Sequence, residues 1–218
     1  VIAFVAAGAK TMFQTRDRVV CMIAAMILAA GESQRMNTPK ALLRIGIETF
    51  AECIVRKARQ AGAATAYLVA GHHHNLIKEA LKGKLELDIL LNYRYKEGQL
   101  SSLKEGLRNL ATGSTEVLVW PVDQPLVKTE TVQVLLESYH RNKNHVTIPV
   151  FQSKHGHPVL YDAVAIHSVL RLSSAQTARD LQKIYEKEID YVNVDDPGIL
   201  VDIDTPEDYK KYITAAGL

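Results

Sequence analysis

The chain has 218 residues, 47% apolar and 23% charged, with a formal net charge of +2. That is enough apolar material for one well-filled α/β core in a single unit, and the balance excludes a disordered chain, a basic nucleic-acid stripe and an acidic tail. The two cysteines, Cys21 and Cys53, form no C-x-x-C pair, so they read as small buried thiols in a reducing compartment and not as a zinc or disulfide framework.

Val1 to Ala7 is apolar, and Lys10, Arg16 and Arg18 precede a second apolar run, an arrangement that imitates a signal peptide. The run Val19 to Ala30 holds only twelve residues, whereas a helix needs about 20 to span a bilayer. Val19 to Leu28, with its β-branched members, is instead expected as a strand buried on both faces.

That strand leads into Leu28-Ala29-Ala30-Gly31-Glu32-Ser33-Gln34-Arg35-Met36-Asn37-Thr38-Pro39-Lys40. Small residues at the turn let backbone N–H groups approach a ligand, Arg35 and Lys40 add positive charge, and Pro39 stiffens the backbone before the lysine. A triphosphate suits this chemistry. The single glycine fits neither the Walker A loop nor the dinucleotide fingerprint. The stretch does resemble, position by position, the L-A-[AG]-G-x-S-x-R-M-x-x-P-K signature of the MobA-like NTP transferases, the family of the molybdenum cofactor cytidylyltransferases and guanylyltransferases. Asn37 stands where that family has glycine, and asparagine is the next most tolerant of a left-handed backbone. Ala30, in place of a second glycine, resembles the cytidylyl-specific form of the loop. The resemblance therefore implies CTP over GTP, with Leu28, Ala29, Ala30, Gly31 and Lys40 at the nucleotide. Relatives generally begin a few residues before this strand, which makes Met22 the expected start, residues 1–21 an extension and residues 22–218 one domain.

Ala41 to Leu43 and Ile45 read as a short extended piece. Phe50, Cys53, Ile54, Ala58 and Ala61 recur at helical spacing until Gly62. Ala64 to Ala70 is the next strand, ending in Gly71-His72-His73-His74. Three consecutive histidines cannot all face one ion from a regular element, so this reads as a strand-end loop at the nucleotide edge. The family often carries Gly-His-His there, and Gly71 joins the nucleotide set. A short helix from Leu76 to Leu81 and a strand from Leu87 to Leu91 follow. Asn92 and then Gly98-Gln99-Leu100-Ser101-Ser102 precede a helix carrying Leu103, Leu107 and Leu110. The hydroxyls read as an N-cap. The family pattern also makes Asn92, Gly98, Ser101 and Ser102 nucleotide contacts.

Glu116 to Val122 is a buried strand that delivers Asp123-Gln124-Pro125 at its carboxyl end, the edge where open α/β sheets bind ligands. Asp123 there either caps a turn or, as the family's D-x-P implies, holds magnesium. Thr129 is expected to cap a helix whose Val132, Leu135, Leu136 and Tyr139 form a core face. Val146 to Phe151 is a strand. Gly156-His157-Pro158-Val159-Leu160 resembles the family's acceptor-facing segment, although His157 also suits a hydrogen-bonded core position. Ser173 to Leu181 keeps only Ala178-Arg179 of the G-D-x-G-A-R of proteins that transfer cytidylate to molybdopterin, so Arg179 is carried as an acceptor contact. Ile189 to Val194 is a strand. Asp202 and Asp204 alternate on an extended piece and are expected to point the same way, before Thr205 caps a last helix with Pro206 in its first turn.

Alternating strands and helices predict a mostly parallel sheet covered on both faces. The resemblance implies the Rossmann-like fold shared with A-type glycosyltransferases. It further implies nucleotidyl transfer by Arg35, Lys40 and Asp123, with magnesium on Asp123, Asp204 and Asp202, in the cytoplasm. Molybdopterin is the expected acceptor and a molybdoenzyme of the xanthine dehydrogenase type the downstream partner. A sugar phosphate, another phosphorylated cofactor, or a nucleotide-binding maturation factor without turnover are the alternatives.

Overall fold

The computed structural model describes residues 22–110, 116–177, 180–215 and 217. The expectations for residues 1–21 and for Arg179 lie outside the described residues. Strand β1 (Ile23–Ala29) is buried along its whole length. Its odd positions face one hydrophobic cluster and Ala24, Met26 and Leu28 face the other, as a strand covered on both sides requires.

Of Ala41 to Leu43, expected as extended, Ala41 and Leu42 belong to a 3-10 turn that starts at Lys40, and the extended backbone begins at Leu43 and continues in the β2 (Arg44–Ile45) and β3 (Glu48–Thr49) hairpin. Pro39 pre-sets the backbone dihedral that starts such a turn, which outweighs the apolar run. Helix α1 (Phe50–Ala61) begins on a capping box in which Thr49 and Glu52 satisfy each other's backbone N–H groups and ends at a left-handed Gly62. Strand β4 (Thr65–Ala70), helix α2 (His74–Leu81), strand β5 (Asp88–Leu91) and helix α3 (Gln99–Arg108) follow. Strand β6 (Glu116–Pro121) carries the fully buried Trp120. Helix α4 (Thr129–Asn142) opens at Lys128, not on a Thr129 cap. The Lys128 N–H donates instead to Asp196 at 2.8 Å, as does the Thr131 hydroxyl at 2.6 Å. Strands β7 (Val146–Phe151), β8 (Lys154–His155) and β9 (Val159–Tyr161), helices α5 (Ala163–Arg171) and α6 (Asp180–Ile184), strand β10 (Ile189–Asn193) and helix α7 (Pro206–Tyr209) complete the chain. Thr205 and Asp208 form a second capping box at the last of these.

The main sheet runs β10-β7-β9-β6-β1-β4-β5, with β8 paired to β7. Its pairings are parallel except those of β9 with β6 and β7 and of β8 with β7, so the sheet is mostly parallel, as expected. From β1 the chain crosses to β4 and β5 on one side and returns to β6 on the other. The strand order therefore reverses between β1 and β6, and a crevice opens at their carboxyl ends.

Candidate active site

A cavity of about 450 Å³ occupies that crevice. Residues 28–35, from the end of β1 onward, and Pro121 to Asp123, from the end of β6 onward, form two of its walls. Tyr95, Gly98, Gln99 and Ser102 form a third, and Lys40 and Asp204 close the floor. Beyond Gly31 the loop is mostly exposed and bends through left-handed Ser33 and Asn37, at φ +50° and +52°. Asn37 thus adopts the conformation for which a small amide stands in best for glycine. Ser33 Oγ accepts from the Lys40 N–H at 3.2 Å, tying the two ends of the loop.

Lys40 Nζ donates to Asp123 Oδ2 at 3.0 Å and to Asp204 Oδ1, and Arg35 Nη2 reaches Asp204 Oδ2 at 3.2 Å. Burial alone would lower the Lys40 pKa, but Asp123 and Asp204 outweigh it and hold the ammonium above the usual lysine value. Burial pushes the Asp123 carboxyl up, offset in part by Lys40. The Lys40 hydrogen bond pulls the more exposed Asp204 below the usual carboxylate range. The outcome is a proton-bearing cation between two anions of different depth. The Asp123 backbone carbonyl accepts from Ile203 N–H at 2.8 Å, which joins the two acid-bearing segments directly.

Other sequence-predicted residues fall elsewhere. Asp202 Oδ1 accepts from Gln124 Nε2 at 2.6 Å, and the Asp202 charge adds to burial in raising the Asp123 carboxyl. The backbone from 201 to 204 pairs in no strand, and the Asp202 and Asp204 carboxylates take different partners, Gln124 and Lys40. Asn92 is buried, donates from Nδ2 to Ser101 Oγ at 2.9 Å and Ser102 Oγ at 3.0 Å, and accepts from Arg94 N–H at 2.9 Å. That network ties the end of β5 to the start of α3, and the Ser101 hydroxyl donates to the carbonyls of Arg94 and Gly98 in place of capping the helix. Asn92 and Ser101 are therefore structural supports behind the cleft wall, and Ser102 is the one of the three that lines it. Gly71 lies behind the wall as well. Gly156 packs against Ile199, where a Cβ would collide with its carbonyl, and the His157 N–H donates to that same carbonyl at 3.3 Å. Neither Gly156 nor His157 lines the cavity.

Tyr95, Gln99 and the clasp made by Gln124 were not signalled by the sequence. Tyr95 and Gln99 lie between the readable Asn92 and Ser102, so their segment was marked even though they were not.

Among the described residues no group of three or more His, Cys, Asp or Glu side chains gathers as a self-sufficient metal site. The Asp123 and Asp204 oxygens already converge on one positive charge, no further apart than two hydrogen-bond lengths, about 6 Å. Two hard carboxylates fit magnesium, which keeps waters and substrate phosphates in its remaining positions.

The family model described as the MobA-like NTP transferase domain matches residues 25–190. Among curated proteins, the bifunctional protein GlmU of Synechococcus sp. (strain RCC307) is 29% identical over 129 residues, covering 58% of this chain and 28% of that protein. The chain thus spans under a third of the length of the curated relatives it matches. Among solved structures, a nucleotidyl transferase from Methanothermobacter thermautotroptrophicus superposes with a TM-score of 0.75 at 24% identity, covering 89% of this chain and 97% of that one. The molybdopterin-guanine dinucleotide biosynthesis protein A from Archaeoglobus fulgidus gives 0.66 at 17% identity, covering 89% and 98%. Both likenesses establish the shared α/β fold.

Proposed function

Because the chain belongs to the MobA-like NTP transferase family, we propose that it transfers CMP from CTP to a phosphorylated acceptor, molybdopterin, and releases pyrophosphate. One observation carries the reading: Lys40, Asp123 and Asp204 meet at the floor of a cleft whose wall is the Leu28–Arg35 loop. Those residues supply cation, anion and amide groups where a triphosphate would lie. Ala30 in that loop supports cytidine. The acceptor rests on resemblance, and of the residues assigned to it from sequence the two that are described, Gly156 and His157, do not line the cleft.

In the reaction, an oxygen of the acceptor phosphate attacks the α-phosphorus of CTP, an O–P bond forms, and the bond to the β-phosphate bridging oxygen breaks. Asp123 and Asp204 would hold magnesium, which when bound would compensate phosphate charge. Amides of Ala29 to Gly31 orient the nucleotide, and Arg35 and Lys40 stabilise negative charge on the departing pyrophosphate. Lys40 must exchange its carboxylate partners for phosphate oxygens to do so. No nucleophile from the protein is needed.

Pyrophosphate release measured with CTP and GTP, each with molybdopterin or with sugar phosphates, tests the proposal. Release confined to CTP with molybdopterin is expected. Release with a sugar phosphate alone replaces the acceptor, and binding of CTP without release under any acceptor leaves a nucleotide-carrying maturation factor.

A further inference from the structure

The histidine run after β4 takes no part in the reaction above, yet the fold sends two of its rings to opposite walls of the cleft. Gly71 makes this passage available. A Cβ there would lie 2.5 Å from the Ala30 carbonyl oxygen and 2.6 Å from Tyr95 Cβ, so only bare backbone passes between the phosphate loop and the Tyr95 wall. His72 Nδ1 then lies 3.1 Å from the Tyr95 hydroxyl, and His73 Nε2 lies 3.0 Å from the Glu32 carbonyl oxygen. The two rings meet edge to face at 4.5 Å. A carbonyl only accepts, so His73 Nε2 carries the proton and donates.

The loop at the receiving end has few other ties. Gly31, Gln34, Arg35 and Asn37 are exposed, and Ser33 and Asn37 are left-handed. Its Met36 N–H bonds back to Ser33, and its Arg35 side chain, 66% exposed, reaches Asp204. Among the described residues, the one backbone group of residues 31–37 bonded to a segment distant in sequence is the Glu32 carbonyl, and its partner is His73.

We propose that His73 is a positioning residue for the nucleoside triphosphate: its ring donor holds the Gly31–Arg35 loop in the shape that aims its amides and the Arg35 guanidinium at the phosphates. His72 aligns Tyr95 on the facing wall through the same two-residue turn. This deepens the nucleotidyl-transfer reading and rests on it. Without the donor the loop must be ordered when nucleotide arrives, so affinity falls. Turnover of bound substrate changes less, because His73 touches no reacting atom.

The test compares His73→Phe, which keeps a ring and loses the donor, with His73→Gln, whose amide nitrogen sits near the Nε2 position. His73→Asn, too short to reach Glu32, is a second loss variant should the phenylalanine protein fold poorly. Two measurements are made: amide hydrogen exchange of residues 31–37 in the ligand-free protein, and affinity for a non-hydrolysable CTP analogue with magnesium. The loss variants are expected to exchange faster and to bind about 3- to 10-fold more weakly, the value of one hydrogen bond, with kcat near wild type. His73→Gln is expected to recover both. Unchanged exchange and affinity in His73→Phe, or a glutamine variant as weak as the phenylalanine one, overturns the role of His73. Wild-type protein that binds no nucleoside triphosphate overturns the nucleotidyl-transfer reading itself, and the positioning role with it.

Discussion

Lys40 Nζ stands between Asp123 and Asp204, 3.0 Å from Asp123 Oδ2 and hydrogen-bonded to Asp204 Oδ1. Two carboxylates that would otherwise repel are held together by a cation of the chain's own. The ammonium thus sits where a divalent ion would be shared, and the two compete for the same oxygens.

Lys40→Met is therefore expected to act in two directions. Turnover falls by roughly 10²- to 10³-fold, the usual loss for a well-placed transition-state donor. Affinity of the nucleotide-free protein for Mn²⁺ rises, because no ammonium has to be displaced. Steady-state kinetics reads the first effect and electron paramagnetic resonance of added Mn²⁺ the second. Unchanged turnover would remove Lys40 from the mechanism.

The three aspartates are expected to separate by role. Asp123→Asn and Asp204→Asn each remove a cation-facing charge and raise the magnesium concentration needed for half-maximal rate. Asp202→Asn leaves that requirement near wild type, because its carboxylate is taken by Gln124. A magnesium titration of the three variants checks this, and an equal effect of Asp202→Asn would restore it to the metal set.

Asn92→Ala is expected to cost stability more than affinity. Its side chain makes three hydrogen bonds in a buried network, and orphaning those partners costs about 1–3 kcal/mol. Chemical denaturation is expected to give a lower midpoint, while the KM for CTP stays within about twofold of wild type if the loss is confined to this support. A large KM change with an unchanged midpoint would make Asn92 a ligand contact.

Alkaline pH is expected to weaken the fold through Tyr161. Burial pushes its phenol from 10.0 up to about 12. The unfolded chain loses that proton first, so the stability it contributes is complete below pH 10 and declines as pH rises toward 12, by up to about 3 kcal/mol. Lys40, also raised, loses its contribution in the same direction as pH climbs through its folded value. Urea midpoints at pH 9 and 11 are expected to differ less in Tyr161→Phe than in wild type.

Much of the architecture was legible before any coordinates. The fully apolar β1, the Thr205-Pro206 cap and the Gly62 stop all act within a few residues, and each appears as expected, whereas the Thr49–Glu52 capping box emerged only from the structure. The Ser101-Ser102 pair was misread for the same reason in reverse: a local cap pattern was present, but the buried Asn92 amide claimed both hydroxyls. Thr129 lost its cap role to Asp196, which no local pattern connects to it.

By itself the sequence determined the strand-turn-cation loop, the acid at the end of β6 and the order of strands and helices as far as β7, but not β8, α5 or α6, because periodicity, turn residues and caps are properties of short windows. Only the tertiary structure decided which carboxylates share a cation. Asp204 faces Lys40 while Asp202 is drawn to Gln124, and Gly156 and His157 are spent on the Ile199 turn instead of the cleft. Those choices depend on hydrogen bonds between segments far apart in the chain, whose formation requires that the sheet has already brought the ends of β1 and β6 side by side.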